Sequence, residues 1–216
     1  MKVKCIETAD GSHSVYVESI DEHYHSTKGA LQESRHVFIE AGLKEKEQKS
    51  IHILEVGMGT GLNALLTVID RFPDQEVYYT ALEKYPLSNS ITDKLNYATL
   101  LNVDQNILNR IHHSVWGAFQ EIAPGFHLEK IKVDLHDWKP QGAFDLVYFD
   151  AFGPDKQPDM WSMSIYETLY RVMNTDGIVV TYTAKGDVRR GLTTAGFHVE
   201  RLQGPPGKKH MTRARK

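Results

Sequence analysis

The apolar positions along the chain fall into two alternating rhythms. Short runs that are apolar throughout, or at every second residue, occur at 51–56, 76–83, 127–136, 144–149 and 177–183. Between them, at 62–72, 86–101, 105–123 and 164–174, apolar residues recur every three or four positions. The first rhythm is that of strands, the second that of helices with one apolar face. Strands alternating with helices predict an α/β fold built on a mostly parallel, doubly wound sheet. After Lys185 a short helix to Ala195 precedes two strands, near 197–203 and 208–214, joined by Gly204-Pro205-Pro206-Gly207. So short a connection suits antiparallel neighbours, so the sheet is expected to carry an antiparallel edge.

Ahead of this core, 3–8 and 14–19 read as two strands around the turn Ala9-Asp10-Gly11-Ser12, an N-terminal β-hairpin. Residues 29–42 are roughly helical, and the charged run 44–49 is a surface connection. The expected organisation is a hairpin and helix (1–43) appended to a main domain (44–216).

The chain has 216 residues, 41% hydrophobic and 25% charged, which describes an ordinary globular protein with one full core. No apolar run approaches the length of a membrane span, and residues 1–21 lack a signal core. The single cysteine, Cys5, excludes an internal disulfide and a cysteine metal cluster. A cytoplasmic protein is expected. His23-Tyr24-His25 and His112-His113 lack supporting ligands at useful spacing, so no metal is expected. The net charge of −3 hides an asymmetry: from Lys185 onward nine basic residues face only Asp187 and Glu200, a net +7 that leaves −10 on the rest. A basic end on an acidic body suits a polyanionic partner, and equally a solvated terminal strand.

The run 51–56 ends in Gly57-Met58-Gly59-Thr60-Gly61 and opens at once into the helical pattern Leu62, Leu65, Leu66, Ile69. Strand, glycine turn and helix N-terminus in this order hold nucleotide-like ligands in open α/β sheets. Two registers compete. Gly59-x-Gly61-x-x-Ala64 fits a dinucleotide loop, whereas Glu55-x-Gly57-x-Gly59-x-Gly61 places an acid in the strand end, where it can hold a ligand's ammonium. Glu83 closes the second strand, 22 residues after Gly61, where an acid binds ribose hydroxyls in either case. Asp137 ends the third run and is a candidate for an adenine amine, with Asp134 as competitor. Asp150 ends the fourth beside Phe152. A carboxylate there can orient an amine and take its proton, and the ring can face a cation.

Longer stretches carry a resemblance: Gly29-Ala30-Leu31-Gln32-Glu33-Ser34-Arg35-His36-Val37-Phe38, the glycine loop through Asn63, Val188-Arg189-Arg190-Gly191-Leu192, Gly207-Lys208-Lys209-His210-Met211 and, most specific, Asp150-Ala151-Phe152-Gly153-Pro154-Asp155-Lys156-Gln157-Pro158-Asp159-Met160-Trp161. From about Tyr24 to Ala214 the chain resembles the MnmD family, equivalent to the methyltransferase half of bifunctional MnmC. The resemblance implies a Rossmann-type S-adenosylmethionine-dependent methyltransferase fold and methylation of the aminomethyl group of a modified tRNA wobble uridine. It implies S-adenosyl-L-methionine as cofactor, S-adenosyl-L-homocysteine as product, and neither metal nor flavin. Glu55, Gly57, Gly59 and Glu83 match cofactor positions; Gly61 and Asp137 join them on spacing. Asp150 and Phe152 match the active-site block. Trp161 or Tyr182 is a candidate stack for the base, with Lys208, Lys209 and Arg189 candidates for phosphates. The standalone form is expected, with a separate flavin oxidase supplying the preceding step. Two departures stand out: Thr183-Ala184-Lys185-Gly186-Asp187 replaces an expected Thr-Ser-Ala-Gly-Phe, and His136 replaces a glycine. The residues alone leave open an NAD-dependent oxidoreductase, an aminopropyltransferase, or a catalytically silent tRNA-binding protein.

Overall fold

A computed structural model of the chain describes residues 2–216. At the N-terminus β1 (Val3–Glu7), β2 (His13–Val17) and β3 (Glu22–His23) form a small antiparallel sheet, so a third short strand joins the expected hairpin. Helix α1 (Ala30–Ser34) follows and widens into a π-helical turn over Arg35–Glu40. The main body then runs β4 (Ser50–Val56), α2 (Leu62–Asp70), β5 (Glu76–Glu83), α3 (Asn89–Thr92), α4 (Tyr97–Leu101), α5 (Gln105–His113), β6 (Gln120–Ala123), β7 (Phe126–Lys132) and β8 (Phe144–Phe149). It closes with α6 (Met163–Val172), β9 (Met173–Thr181), α7 (Gly186–Thr194), β10 (His198–Gln203) and β11 (His210–Arg215).

The eight strands of the main sheet lie in the order β10-β11-β9-β8-β4-β5-β7-β6. The five strands β9, β8, β4, β5 and β7 are mutually parallel, while β11 pairs antiparallel with β9 and with β10. The expected doubly wound sheet with an antiparallel edge is therefore present. Residue alternation along the central strands splits the core into two layers. Ile51, Ile53 and Tyr148 pack with α2 and the Val37–Phe38 segment, while Leu54, Val147 and Phe149 pack with α6 and α7. The chain leaves β4 toward one edge of the sheet and later returns to β8 on its other side. That divergence opens a crevice at the C-terminal ends of β4 and β8, where open α/β sheets bind ligands.

Three expectations need correction. The helix expected over 105–123 stops at His113, because Asp104 caps α5 at its start and Ser114 to Gly117 leave helical geometry; β6 then pairs antiparallel with β7. The pattern at 86–101 divides into α3 and α4. The third strand ends at Lys132, so residues 134–137 form a turn held by the Asp137 N–H to Asp134 carbonyl bond (2.9 Å). Among the described residues no helix is long and apolar enough to cross a membrane.

Candidate active site

A cavity of about 860 Å³ opens at the C-terminal ends of the strands, bounded by the glycine loop, Glu83, the Asp150–Gln157 segment and the N-terminal stretch 19–27. Its size suits a nucleoside-bearing ligand, since small-molecule sites usually enclose roughly 300–1,000 Å³. The glycine loop forms the floor. Gly57 has φ +89°, and a Cβ there would lie 2.7 Å from the Asp150 carbonyl. Gly59 has φ +50°, and a Cβ there would lie 2.6 Å from the Tyr24 ring. Bare backbone is required at both, in a conformation that L side chains avoid. Gly61 starts α2 in a left-handed conformation and packs toward Ile111 and His112, behind the loop. Two histidines clamp the loop: His25 Nε2 meets Thr60 Oγ1 at 2.6 Å and His112 Nε2 donates to the Thr60 carbonyl at 2.9 Å. Burial pushes His25 down to about 4, so it is neutral and structural at physiological pH. Among the described residues no group of three metal-ligating side chains forms.

Glu83 stands at the cavity wall at the end of β5. Its Oε2 accepts from Gly59 N at 3.0 Å and its Oε1 from Tyr85 N at 2.8 Å, leaving a further acceptor site on each oxygen. Desolvation raises its proton affinity, against the pull of those backbone donors.

Glu55 is fully buried behind the loop, outside the cavity lining, and desolvation pushes it well above the usual carboxylate range. Asp150 lies deep at the end of β8, its remaining accessible surface turned to the cavity, and burial pushes it up to about 7. Asn63 Nδ2 reaches both, donating to Glu55 Oε1 and to Asp150 Oδ2 at 2.9 Å each. Phe152 lies edge-to-face with Tyr24, their ring centroids 5.1 Å apart, so two aromatic rings flank the space above the glycine loop.

The structure brings Gly57, Gly59, Glu83, Asp150, Phe152 and Lys208 together around the cavity. Lys208 is not free: its Nζ bonds Glu33 Oε1 at 2.6 Å and sits 4.0 Å from the Tyr182 ring centroid. Asp137 falls elsewhere, in the exposed turn beyond the third strand, and Asp134 lines the cavity in its place. Trp161 also lies behind the wall. Its Nε1 donates to the Phe152 carbonyl at 2.7 Å and its ring meets Phe149, so it braces the Asp150–Phe152 turn. Tyr182 does likewise through its hydroxyl bond to the Ala151 carbonyl (2.9 Å). Arg189 turns back to the Ala184 carbonyl, and Lys209 is exposed. Sequence reasoning missed Asn63, Tyr24 and Glu33. Asn63 offered one signal, a polar residue within an otherwise apolar helical start; Tyr24 and Glu33 offered none.

A strand–glycine-loop–helix unit, an acid closing the next strand and an acid–aromatic pair at the switch point are arranged as in the Rossmann-type S-adenosyl-L-methionine-dependent methyltransferase fold. Residues 110–216 match the family model described as S-adenosyl-L-methionine-dependent methyltransferase. That match takes in just under half of the chain. The tRNA 5-methylaminomethyl-2-thiouridine biosynthesis bifunctional protein MnmC of Marinomonas sp. (strain MWYL1) is 30% identical over 215 residues, an alignment covering 89% of this chain and 31% of that protein. The chain thus spans about a third of the length of the bifunctional relatives it matches, 31% in this case. The crystal structure of MNMC2 from Aquifex aeolicus superposes with TM-score 0.77 at 26% identity, over 99% of this chain and 70% of that one. Spermidine synthase from Thermotoga maritima shares the fold, with TM-score 0.63 at 13% identity over 99% and 68% of the two chains.

Proposed function

We propose that the chain transfers a methyl group from S-adenosyl-L-methionine to the aminomethyl nitrogen of a modified wobble uridine in tRNA. The observation that carries this reading is the Asp150 carboxylate, which lines the cavity at the end of β8 with Phe152 beside it and Asn63 Nδ2 donating to it. The similarity to MnmC supports the identity of the acceptor.

The chain's own groups fit the cofactor. Glu83 lines the cavity and retains acceptor sites for ribose hydroxyls, and Gly57 and Gly59 let the ligand approach bare backbone. When bound, S-adenosyl-L-methionine supplies an electrophilic methyl group on a sulfonium. An alkylamine is mostly protonated at neutral pH and has no lone pair to attack with. Asp150, poised near 7, accepts that proton and then holds the developing ammonium. Phe152 and Tyr24 face the cationic centre with their rings, an attraction worth about 0.5–2 kcal/mol. Trp161 and Tyr182 lock the Asp150–Phe152 backbone, which fixes the angle of attack. A wobble base sits in a single-stranded loop and can be splayed into a pocket at low unstacking cost. Exposed Lys209, next to Lys208 at the rim, is available to phosphates.

In this reading residues 1–43 act as a cap that supplies one cavity wall, and residues 44–216 form the methyltransferase domain of a cytoplasmic enzyme. A separate flavin oxidase supplies the free aminomethyl group. The test is methylation of tRNA isolated from cells lacking this enzyme, read by nucleoside mass spectrometry. Conversion of the aminomethyl to the methylaminomethyl nucleoside is expected. Aminopropylation of putrescine, or no turnover with cofactor bound, would overturn the reading.

A further inference from the structure

Glu33 and Lys208 line the same cavity as Asp150, and the chemistry derived above gives neither a part in it. Glu33 lies on α1 and keeps 10% of its side chain exposed; Lys208 lies in the loop between β10 and β11. Glu33 Oε1 meets Lys208 Nζ at 2.6 Å, and Glu33 Oε2 accepts from Ser26 N at 2.9 Å. Each carboxylate oxygen has a lone pair left for a second bond, and an ammonium with three hydrogens keeps a donor after serving Glu33. The pair therefore presents a donor and an acceptor side by side to a molecule in the cavity.

A chain of contacts places the pair relative to the reacting group. The Tyr182 hydroxyl donates to the carbonyl of Ala151, the neighbour of Asp150, at 2.9 Å. Lys208 Nζ sits 4.0 Å from the centroid of the Tyr182 ring, and Glu33 is bonded to that nitrogen. The contacts thus run from the Asp150–Ala151 turn through Tyr182 and Lys208 to Glu33. Both charges reach Asp150, Lys208 favouring its ionised form and Glu33 opposing it. Tyr182 directly follows β9, one strand outward from β8, whereas Glu83 ends β5, one strand outward from β4 on the other side. The crevice therefore has the acid assigned to the cofactor ribose on one side and this pair on the other, where the methyl acceptor must lie.

A uracil ring with its aminomethyl group on C5 presents, going round the ring from that group, a carbonyl acceptor at C4 and then a donor at N3. With the amine at Asp150, a wall that offers an ammonium and then a carboxylate matches that edge. Cytosine, a donor at C4 and an acceptor at N3, mismatches both groups. We infer that Glu33 and Lys208 are specificity-determining residues that read the Watson–Crick edge of the acceptor base, Lys208 donating to O4 and Glu33 accepting from N3–H. This rests on the methyltransferase reading above. An unstacked RNA base offers that edge freely.

The test uses the full chain, S-adenosyl-L-methionine and two anticodon stem-loop RNAs. One carries 5-aminomethyluridine at the wobble position; the other carries the same nucleoside methylated at N3. Wild type should methylate the N3-blocked RNA with kcat/KM lower by about ten- to a hundredfold, the loss of one hydrogen bond to a charged group. Glu33→Ala should lose activity on the parent RNA and treat the two RNAs nearly alike, because no carboxylate then meets N3. A merely structural ion pair would lower both rates and leave their ratio unchanged. Equal rates in wild type, or a ratio kept in full by Glu33→Ala, overturn the inference. If Glu33→Ala does not fold, Glu33→Asp decides by the same ratio, since it keeps the charge and withdraws the oxygens by one methylene. No methylation of the parent RNA by wild type would sink the methyltransferase reading itself, and this inference with it.

Discussion

Asp150 shows how a site residue can be costly to the fold and useful to the chemistry at once. Burial lifts its carboxyl from the ordinary 3.8 to about 7, so between those values the folded chain holds a proton that the unfolded chain releases. Its contribution to stability is therefore largest below this window and is lost as pH rises through it. The same rise creates the ionised base. Replacement by asparagine keeps the size and removes both effects. Asp150→Asn should lower the single-turnover methylation rate about a hundred- to ten-thousandfold at neutral pH, with a smaller deficit at high pH where the free amine exists unaided. Its melting temperature should exceed that of wild type more at alkaline than at acid pH. A near-normal rate at neutral pH would show that positioning alone carries the reaction.

The glycine loop is the element on which the site turns, and its neighbours come from both ends of the fold. Tyr24 and His25 press on it from the N-terminal segment, and His112 holds it from α5. A Gly59→Ala change forces a side chain into a left-handed conformation, at about 1–2 kcal/mol, and drives its Cβ into the Tyr24 ring. At this chain length that should lower the melting temperature by about 2–4 °C per kcal/mol. Cofactor affinity should fall by about tenfold or more if Tyr24 is displaced. Adding Tyr24→Ala should relieve the steric part, so a double-mutant cycle should show coupling, whereas strict additivity would mean that the two do not press on each other. How much of this was legible follows from what each signal encodes. The glycines, Glu55, Glu83 and Asp150 announce themselves because strand ends and turn chemistry are local. Asn63 does not, because its role is defined by two carboxylates 8 and 87 residues away. The edge strand β6 was hidden too. Its four residues, Gln-Glu-Ile-Ala, carry no strand periodicity, and only pairing with β7 makes them extended.

At the scale of the whole molecule the folded chain disperses the charge asymmetry that the sequence concentrates. Arg213 and Arg215 on β11 are held by Glu45 and Glu200, Lys185 by Asp155, Arg190 by Asp187 and Lys208 by Glu33. Arg213 keeps only 12% of its side chain exposed, so it is a structural cation tying the sheet edge to the segment before β4. Lys209 is exposed, follows the cavity-lining Lys208 and has no ion-pair partner among the described residues. A polyanion therefore meets the exposed Lys209 beside the cavity mouth, not a uniformly basic tail. Binding of tRNA should weaken steeply with salt, and Lys209→Ala should flatten the log–log dependence by about 0.7–0.9, because one phosphate is then no longer neutralised. Arg213→Ala should leave that slope unchanged and instead lower the melting temperature, because Glu45 and Glu200 lose their more buried cation and are left to share Arg215. Measuring both variants across a salt series separates the roles. A slope unchanged in Lys209→Ala would remove that lysine from the RNA interface. A slope flattened equally in Arg213→Ala would mean that the β11 network opens to bind RNA.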